Sequence, residues 1–194
     1  MRNNLLLLAS LLLLSGCYSL KKTLRSAEPY VDTIEWPSAY KPEEANFFVH
    51  NAIEIKAAPS TVWNILIEAE QWPSYYAGAE HVKVSDNDKG KLLPKSVFTW
   101  KTMGLDFTST VREYKTNDRL SWESNKKSIQ GYHAWLLIPT ETGTLLVTQE
   151  AQHGWLSGME KVFQPNKLRK LHDVWLLQIK NKAEQIDNTK AEAK

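Results

Sequence analysis

The sequence predicts an α+β fold in which a curved antiparallel sheet wraps around one long C-terminal helix. Two observations support this prediction. Seven runs of residues have the alternation or composition of β-strands, and short turns separate most of them. A long segment with a single apolar stripe follows the last run, and this stripe can be buried only if the sheet covers it.

The first strand and two short helices open the predicted domain. Apolar and polar side chains alternate in residues 47–56, most clearly around Ile53 and Ile55, as they do in a strand. Ala58-Pro59-Ser60 then predicts a helix start with Ser60 as the cap. A second short helical turn is expected around 72–76, because proline is tolerated in a first turn.

Six further strands complete the sheet of about seven. Turn residues such as Met103-Gly104 and Asn117-Asp118 are short enough to join neighbouring strands as antiparallel hairpins. On the run 130–138 both faces are apolar, so the sequence leaves its inward face undecided. The six strands are predicted at 79–85, 95–102, 105–115, 118–124, 130–138 and 143–153.

The last predicted element is a long helix from about Ser157 to Ile186. Pro165 marks a break or kink near its beginning, because proline lacks the backbone donor that a helix interior needs. Gaps of three and four residues place six apolar side chains on one face. These are Leu168, Leu171, Trp175, Ile179, Ala183 and Ile186.

Several motifs in this order carry a family resemblance. Ala58-Pro59 is followed by Val62-Trp63 and, about ten residues later, by Trp72-Pro73. Weaker signals are Val97-Phe98-Thr99-Trp100, Tyr132-His133-Ala134-Trp135 and Gly143-Thr144. Over residues 47–186 the chain resembles the helix-grip fold of the START-like (SRPBCC) superfamily, and in particular its polyketide cyclase/dehydrase-like branch.

The resemblance implies a deep cavity for an apolar ligand between the sheet and the last helix. Alternation predicts inward-facing side chains on three strands, and the helix would supply the roof. A solid core built from the same residues is the alternative. The predicted ligand-binding residues are Phe98, Trp100, Phe107, Val111, Leu120, Trp122, Leu168, Leu171, His172 and Trp175.

Four polar residues are candidates for the inside or the mouth of such a cavity. A histidine beside a carboxylate can move protons near neutral pH, so His133 and Glu150 are the weak catalytic candidates, with His153 and His172 beside them. Glu150 and His153 have opposite parity, which means that on a regular strand their side chains point to opposite faces of the sheet. No metal and no cofactor are expected, although His133, His153 and Glu150 could form a metal site. A helical His-Glu-x-x-His, a nucleophile elbow and a dinucleotide fingerprint are all absent from the sequence.

An apolar run near the N-terminus ends with the motif Leu14-Ser15-Gly16-Cys17. Arg2 and the leucines before it have the order of an export signal, and the run is too short to span a bilayer. The motif resembles the lipobox of bacterial lipoproteins, which implies cleavage before Cys17 and acylation of Cys17, with palmitate among the possible chains. Tyr18 stands where an inner-membrane retention signal has Asp, so the periplasmic face of the outer membrane is expected.

Four segments follow from these assignments. Residues 1–16 are the signal peptide, 17–45 the lipidated cysteine and tether, 46–187 the ligand-binding domain and 188–194 a frayed tail. Cys17 is the only cysteine, so no disulfide is expected. Arg2 is the only charged residue of the signal peptide, and its removal lowers the formal net charge from +2 to +1. This balance gives no reason to expect a nucleic acid partner.

The sequence therefore favours a membrane-anchored carrier or sensor that binds a hydrophobic or amphipathic small molecule. The ligand would be a lipid, a polyketide-like compound or an aromatic compound. A cyclase or dehydratase that uses the same cavity is one alternative, and an envelope scaffold that binds only protein is another. The sequence does not indicate an oligomeric state.

Overall fold

The computed structural model describes residues 33–85 and 89–192, without the side chain at position 191. The chain divides into two units, Met1–Glu35 and Trp36–Lys194. Cys17 and the predicted signal peptide lie outside the described residues. The account that follows concerns the second unit.

Seven antiparallel strands form one sheet in the order β1-β7-β6-β5-β4-β3-β2, which confirms the predicted fold class. Each neighbouring pair except β1 and β7 is also consecutive in sequence, as the short turns predicted. The strands are β1 (Phe47–Ile55), β2 (Glu80–Val84), β3 (Val97–Thr102), β4 (Leu105–Lys115), β5 (Arg119–Lys126), β6 (Ile129–Thr140) and β7 (Gly143–His153).

Two short helical elements follow β1, namely helix α1 (Pro59–Ile67) and a 3-10 helix (Ala69–Ser74). The cap of α1 is Ala58 rather than the predicted Ser60, because Pro59 already occupies the first helical turn. None of the helices in the described part of the chain is both long enough and apolar enough to cross a bilayer.

The predicted C-terminal helix is two helices, α2 (Trp155–Phe163) and α3 (Lys167–Glu192). Pro165 lies in the break between them. Helix α3 also continues past 187, where the sequence predicted a frayed tail. The Asp187 carboxylate is held there by the Ala58 N–H at 2.9 Å and the Thr61 hydroxyl at 2.7 Å.

The apolar stripe of α3 packs on the inner face of the sheet. Trp175, Ile179 and Ala183 are fully buried there against the side chains of the central strands. On β6 the undecided register is now fixed, because Trp135 and Leu137 belong to this core. Tyr132 faces the other way.

The outer face of β6 is covered by the segment just before β1. The ring of Tyr132 lies 5.6 Å from that of Trp36 and 5.7 Å from that of Tyr40. The Tyr40 hydroxyl also donates to Glu123 at 2.9 Å. These contacts explain why the compact unit begins at Trp36, ahead of the predicted domain start at 46.

The turn between β6 and β7 provides a stability test. Gly143 has φ +153°, and a Cβ there would lie 2.2 Å from the Ile55 carbonyl oxygen. We expect Gly143→Ala to lower the free energy of unfolding by about 1–3 kcal/mol, because backbone must move to admit the methyl group. Urea denaturation followed by circular dichroism measures this.

Gly158 is the matched control for that substitution. It lies inside α2, and nothing is within 4 Å of a Cβ built on it. Gly158→Ala is expected to leave the protein equally stable or to stabilise it by up to about 1 kcal/mol. Equal stability of the Gly143→Ala protein and the wild type would contradict the packing described for this turn.

Candidate functional site

A cavity of about 310 Å³ lies between the inner face of the sheet, α2 and the N-terminal half of α3. This volume is at the lower end of the range of small-molecule sites in proteins. Trp175 forms its floor, since the next residues of the stripe, Ile179 and Ala183, pack in the core and do not line the cavity.

Most of the cavity wall is aromatic or aliphatic. Strands β3, β4 and β5 contribute inward-facing side chains from alternate positions. Successive turns of α3 contribute the apolar side chains of its stripe. Tyr76 stacks on Trp175 with 4.6 Å between ring centroids and extends this wall. The apolar and aromatic lining consists of Tyr76, Trp100, Met103, Leu105, Phe107, Trp122, Ile129, Leu156, Met159, Phe163, Leu168, Leu171 and Trp175.

One end of the cavity is polar. His133 on β6 and Glu150 on β7 are directly opposite each other in the sheet, and His172 on α3 faces them. The Oε2 atom of Glu150 lies 3.4 Å from Nδ1 of His133 and accepts a hydrogen bond from Nε2 of His172 at 3.2 Å. We call these three residues the His-Glu-His cluster.

Neighbouring side chains hold the cluster in place. Gln152 donates to Oε1 of Glu150 at 2.7 Å, and Thr148 is hydrogen-bonded to Nε2 of His133 at 2.7 Å. The missing side chain of Gly131 makes room for the carboxylate, because a Cβ there would lie 3.1 Å from Oε1 of Glu150.

Burial controls the ionisation of the cluster. Desolvation lowers the pKa of His133 to about 3, against the opposing effect of Glu150, so this imidazole is neutral at pH 7. Burial alone would raise the pKa of Glu150, but the hydrogen bond from His172 and further favourable interactions hold it below its usual range. The cavity thus contains a buried carboxylate beside a neutral imidazole.

Helix α2 forms the mouth of the cavity. Met159 and Phe163 line the cavity and are nevertheless 47% and 73% exposed. Trp155 and Val162, at 65% and 70% exposure, lie on the same side of the helix. An apolar face of α2 therefore borders the opening.

Glu160 is the acidic residue of this mouth. Its Oε1 atom is buried without a hydrogen-bond partner. Burial, followed by repulsion from Glu150, raises the pKa of Glu160 to about 7, while Lys167 acts in the opposite direction. This carboxyl group changes charge near neutral pH.

The structure separates the residues predicted to bind ligand into two groups. Trp100, Phe107, Trp122, Leu168, Leu171, His172 and Trp175 line the cavity. Phe98, Val111 and Leu120 are not lining residues but are fully buried in the core. They share the inner face with the others but lie beyond the part of the sheet that the cavity reaches.

The polar candidates are also divided. His133, Glu150 and His172 come together, whereas His153 lies on the other face of β7 with its ring 5.8 Å from that of Tyr40. The opposite parity of Glu150 and His153 predicted this separation, and it removes His153 from the metal site considered above. Sequence reasoning missed Gln152, which has the same parity as Glu150, and Glu160, for which no sequence signal placed α2 at the mouth.

The pKa of Glu160 has a testable consequence for stability. The pKa of Glu160 is higher in the folded protein than the unfolded value of 4.5. The protonated carboxyl group therefore stabilises the folded state below pH 4.5, and this contribution is lost as the pH rises toward about 7. The stability of Glu160→Gln relative to wild type should therefore increase over this interval. Thermal unfolding at several pH values measures the difference.

Lys167 provides the control for that prediction. In the Lys167→Met protein a cation that favours the charged carboxylate is lost, so the titration midpoint of Glu160 should rise above the wild-type value. Carboxyl-carbon NMR follows the midpoint directly. A midpoint of Glu160 near 4.5 in the wild type would contradict the burial described here.

The fold is found in many solved structures. A hypothetical protein of Helicobacter pylori has a TM-score of 0.72 and 26% identity, over 77% of this chain and 95% of its own. The di-domain ARO/CYC StfQ of the steffimycin biosynthetic pathway has a TM-score of 0.61 and 14% identity, over 73% and 52%. A START superfamily protein of Mycobacterium smegmatis has a TM-score of 0.56 and 16% identity, over 72% and 98%.

The comparison with protein families gives the assignment of the chain. No curated protein matches the sequence significantly. The profile of the family described as polyketide cyclase/dehydrase and lipid transport matches residues 47–184, which span β1 to α3 and include every residue of the His-Glu-His cluster. The chain therefore belongs to the polyketide cyclase/dehydrase and lipid transport family, and it shares its fold with the START superfamily protein described above.

Proposed function

We propose that this protein is a lipid-anchored carrier or sensor of the bacterial cell envelope that binds a hydrophobic or amphipathic small molecule. The observation that carries the proposal is the cavity of about 310 Å³, with an aromatic wall, one polar end and an apolar mouth. Apolar lining with a few convergent polar groups is the usual composition of a small-molecule site. An envelope scaffold with a filled core fits this interior less well.

The polar end of the cavity indicates which polar group the ligand has. Oε1 of Gln152 is a buried acceptor without a partner, and Nε1 of Trp122 is a buried donor without one. A buried polar group that lacks a partner destabilises a protein, so a ligand that supplies both partners would be favoured. A hydroxyl group can donate and accept, and a lipid, polyketide-like or aromatic compound with one hydroxyl would fit.

The membrane part of the proposal rests on two features, the N-terminal motif and the exposed face of α2. The lipobox-like Leu14-Ser15-Gly16-Cys17 would place acyl chains on Cys17, and two or more chains anchor a protein durably. The exposed apolar face of α2 is flanked by the exposed Lys161, Lys167 and Lys170. Apolar and basic residues together suit an anionic lipid surface, through which a ligand could reach the mouth.

An enzyme is the second candidate, and Glu160 is the observation that favours it. A carboxyl group with a pKa near 7 at the mouth of a cavity could serve as a general acid or base. A cyclase or dehydratase would use it, or His133 and Glu150, while the aromatic wall holds the substrate in a reactive shape. The carrier is preferred because the hydroxyl that is hydrogen-bonded to His133, that of Thr148, is fully buried and does not line the cavity, so it is not placed to attack a bound substrate.

Substitution of Leu171 tests the cavity. Leu171 lines it, so Leu171→Arg would put a cation among apolar groups and should weaken binding of an apolar fluorescent probe by at least about tenfold. Leu177 on the same helix is 46% exposed and does not line the cavity, so Leu177→Arg should bind the probe as wild type does. Wild-type protein that takes up neither probe nor lipid would rule out the carrier.

The compound that co-purifies with the protein separates the carrier from the enzyme. We expect it to be recovered unchanged, by mass spectrometry and isomer-resolving chromatography, after incubation with fresh wild-type protein. Conversion that Glu160→Gln or Glu150→Gln lowers by about a hundredfold or more, with binding retained, would establish the enzyme instead.

Changing Cys17 tests the anchor. Cys17→Ser should remove the acyl-linked mass and move the exported protein from the membrane fraction to the soluble fraction. Unchanged membrane retention with no acyl mass in the wild type would contradict the lipoprotein assignment. The released protein should retain weak, salt-sensitive binding to anionic vesicles, which Phe163→Ser lowers and the matched Leu177→Ser does not.

A further inference from the structure

The polar end of the cavity points to a property that the proposed function does not require. We propose that His133, Glu150 and His172 bind a divalent first-row transition ion, with zinc as the reference case. The three side chains come from β6, β7 and α3, and each offers one ligand atom within 4.8 Å of the other two.

Two of the three separations in the cluster are those of metal ligands. With zinc–ligand distances of about 2.0–2.1 Å, two ligands of a tetrahedral ion lie about 3.4 Å apart. Oε2 of Glu150 lies 3.4 Å from Nδ1 of His133 and 3.2 Å from Nε2 of His172. Both distances exceed the roughly 2.7–2.9 Å of a charge-assisted hydrogen bond. The ring nitrogens of His133 and His172 lie within 4.8 Å of each other, so the two rings must move closer together for one ion to bind all three atoms.

The surroundings of two of the three residues, His133 and Glu150, also resemble those of metal ligands. Ligating histidines usually donate their second ring nitrogen to a neighbour, and ligating carboxylates are usually hydrogen-bonded as well. Nε2 of His133 is hydrogen-bonded to Thr148 Oγ1 at 2.7 Å, which leaves Nδ1 for the ion. Oε1 of Glu150 accepts from Gln152 at 2.7 Å, which leaves Oε2 for the ion.

Charge supports a cation at this position. The side chain of Glu150 is only 14% exposed, and among the described residues its ion-pair contacts are the two histidines, at 5% and 3% exposure. A buried carboxylate needs a compensating charge, and a divalent ion would supply it without a proton on either imidazole. All three residues line the cavity, so the remaining coordination positions would face a bound ligand.

The donor atoms restrict the choice of metal. Two imidazoles and one carboxylate suit zinc, cobalt, nickel or iron, whereas magnesium and calcium prefer oxygen ligands throughout. The cluster contains no thiolate, which disfavours copper(I).

Metal titration of the full-length chain in a non-ionic detergent tests the proposal. After treatment with a chelator and dialysis, we expect the wild type to bind one equivalent of Zn²⁺ by calorimetry, and Co²⁺ to give the visible spectrum of a low-coordinate site. Glu150→Gln and His172→Gln should each weaken binding by at least about a hundredfold, and Thr148→Val by about ten- to a hundredfold. His153→Gln is the matched control and should bind as wild type does.

Thermal unfolding covers the case in which a variant folds poorly. An ion that binds only the folded protein raises the unfolding temperature, so Zn²⁺ should raise it for wild type and for His153→Gln. Failure of the wild type to bind stoichiometric Zn²⁺ or Co²⁺ would overturn the proposal, as would equal binding by the Glu150→Gln and His172→Gln proteins. Either result would leave probe uptake by the cavity, and hence the carrier, unaffected.

Discussion

The packing of the curved sheet against the apolar stripe of α3 is the interaction on which the rest of the structure depends. Trp175 lies in the middle of this stripe, with its ring centroid 5.0 Å from those of Trp72 and Trp135. Toward the C-terminus, Ile179 completes a solid core. Toward the N-terminus, Leu171 faces open space. The cavity exists because side chains of the sheet cover the stripe over only part of its length.

Periodicity was sufficient to predict the architecture, because strands and helices bury faces at fixed spacings. It predicted the inner faces of β3, β4 and β5 but not the depth along them. Phe98 and Trp100 share one face of β3, yet only Trp100 lines the cavity. Depth depends on where α3 crosses the sheet, and no single strand carries that information.

The polar site was predictable in its parts but not in its assembly. His133 and Glu150 were candidates by residue type, and parity correctly separated Glu150 from His153. Their pairing depends on the register between β6 and β7, which two apolar faces on β6 left undecided. Glu160 was not identified because its environment is created by the packing of α2 over the mouth, and the break at Pro165 separates α2 from the rest of the predicted helix.

The aromatic cluster around Trp175 also has an optical consequence. Trp72, Trp100, Trp122 and Trp175 lie with ring centroids 5.0–6.3 Å apart, and three of them line the cavity. Indoles this close exchange excitation energy and couple their electronic transitions. A molecule that enters the cavity therefore changes the environment of the coupled set rather than of one ring. The protein contains its own chromophore for occupancy, and ultraviolet emission or near-ultraviolet dichroism can follow loading without a label.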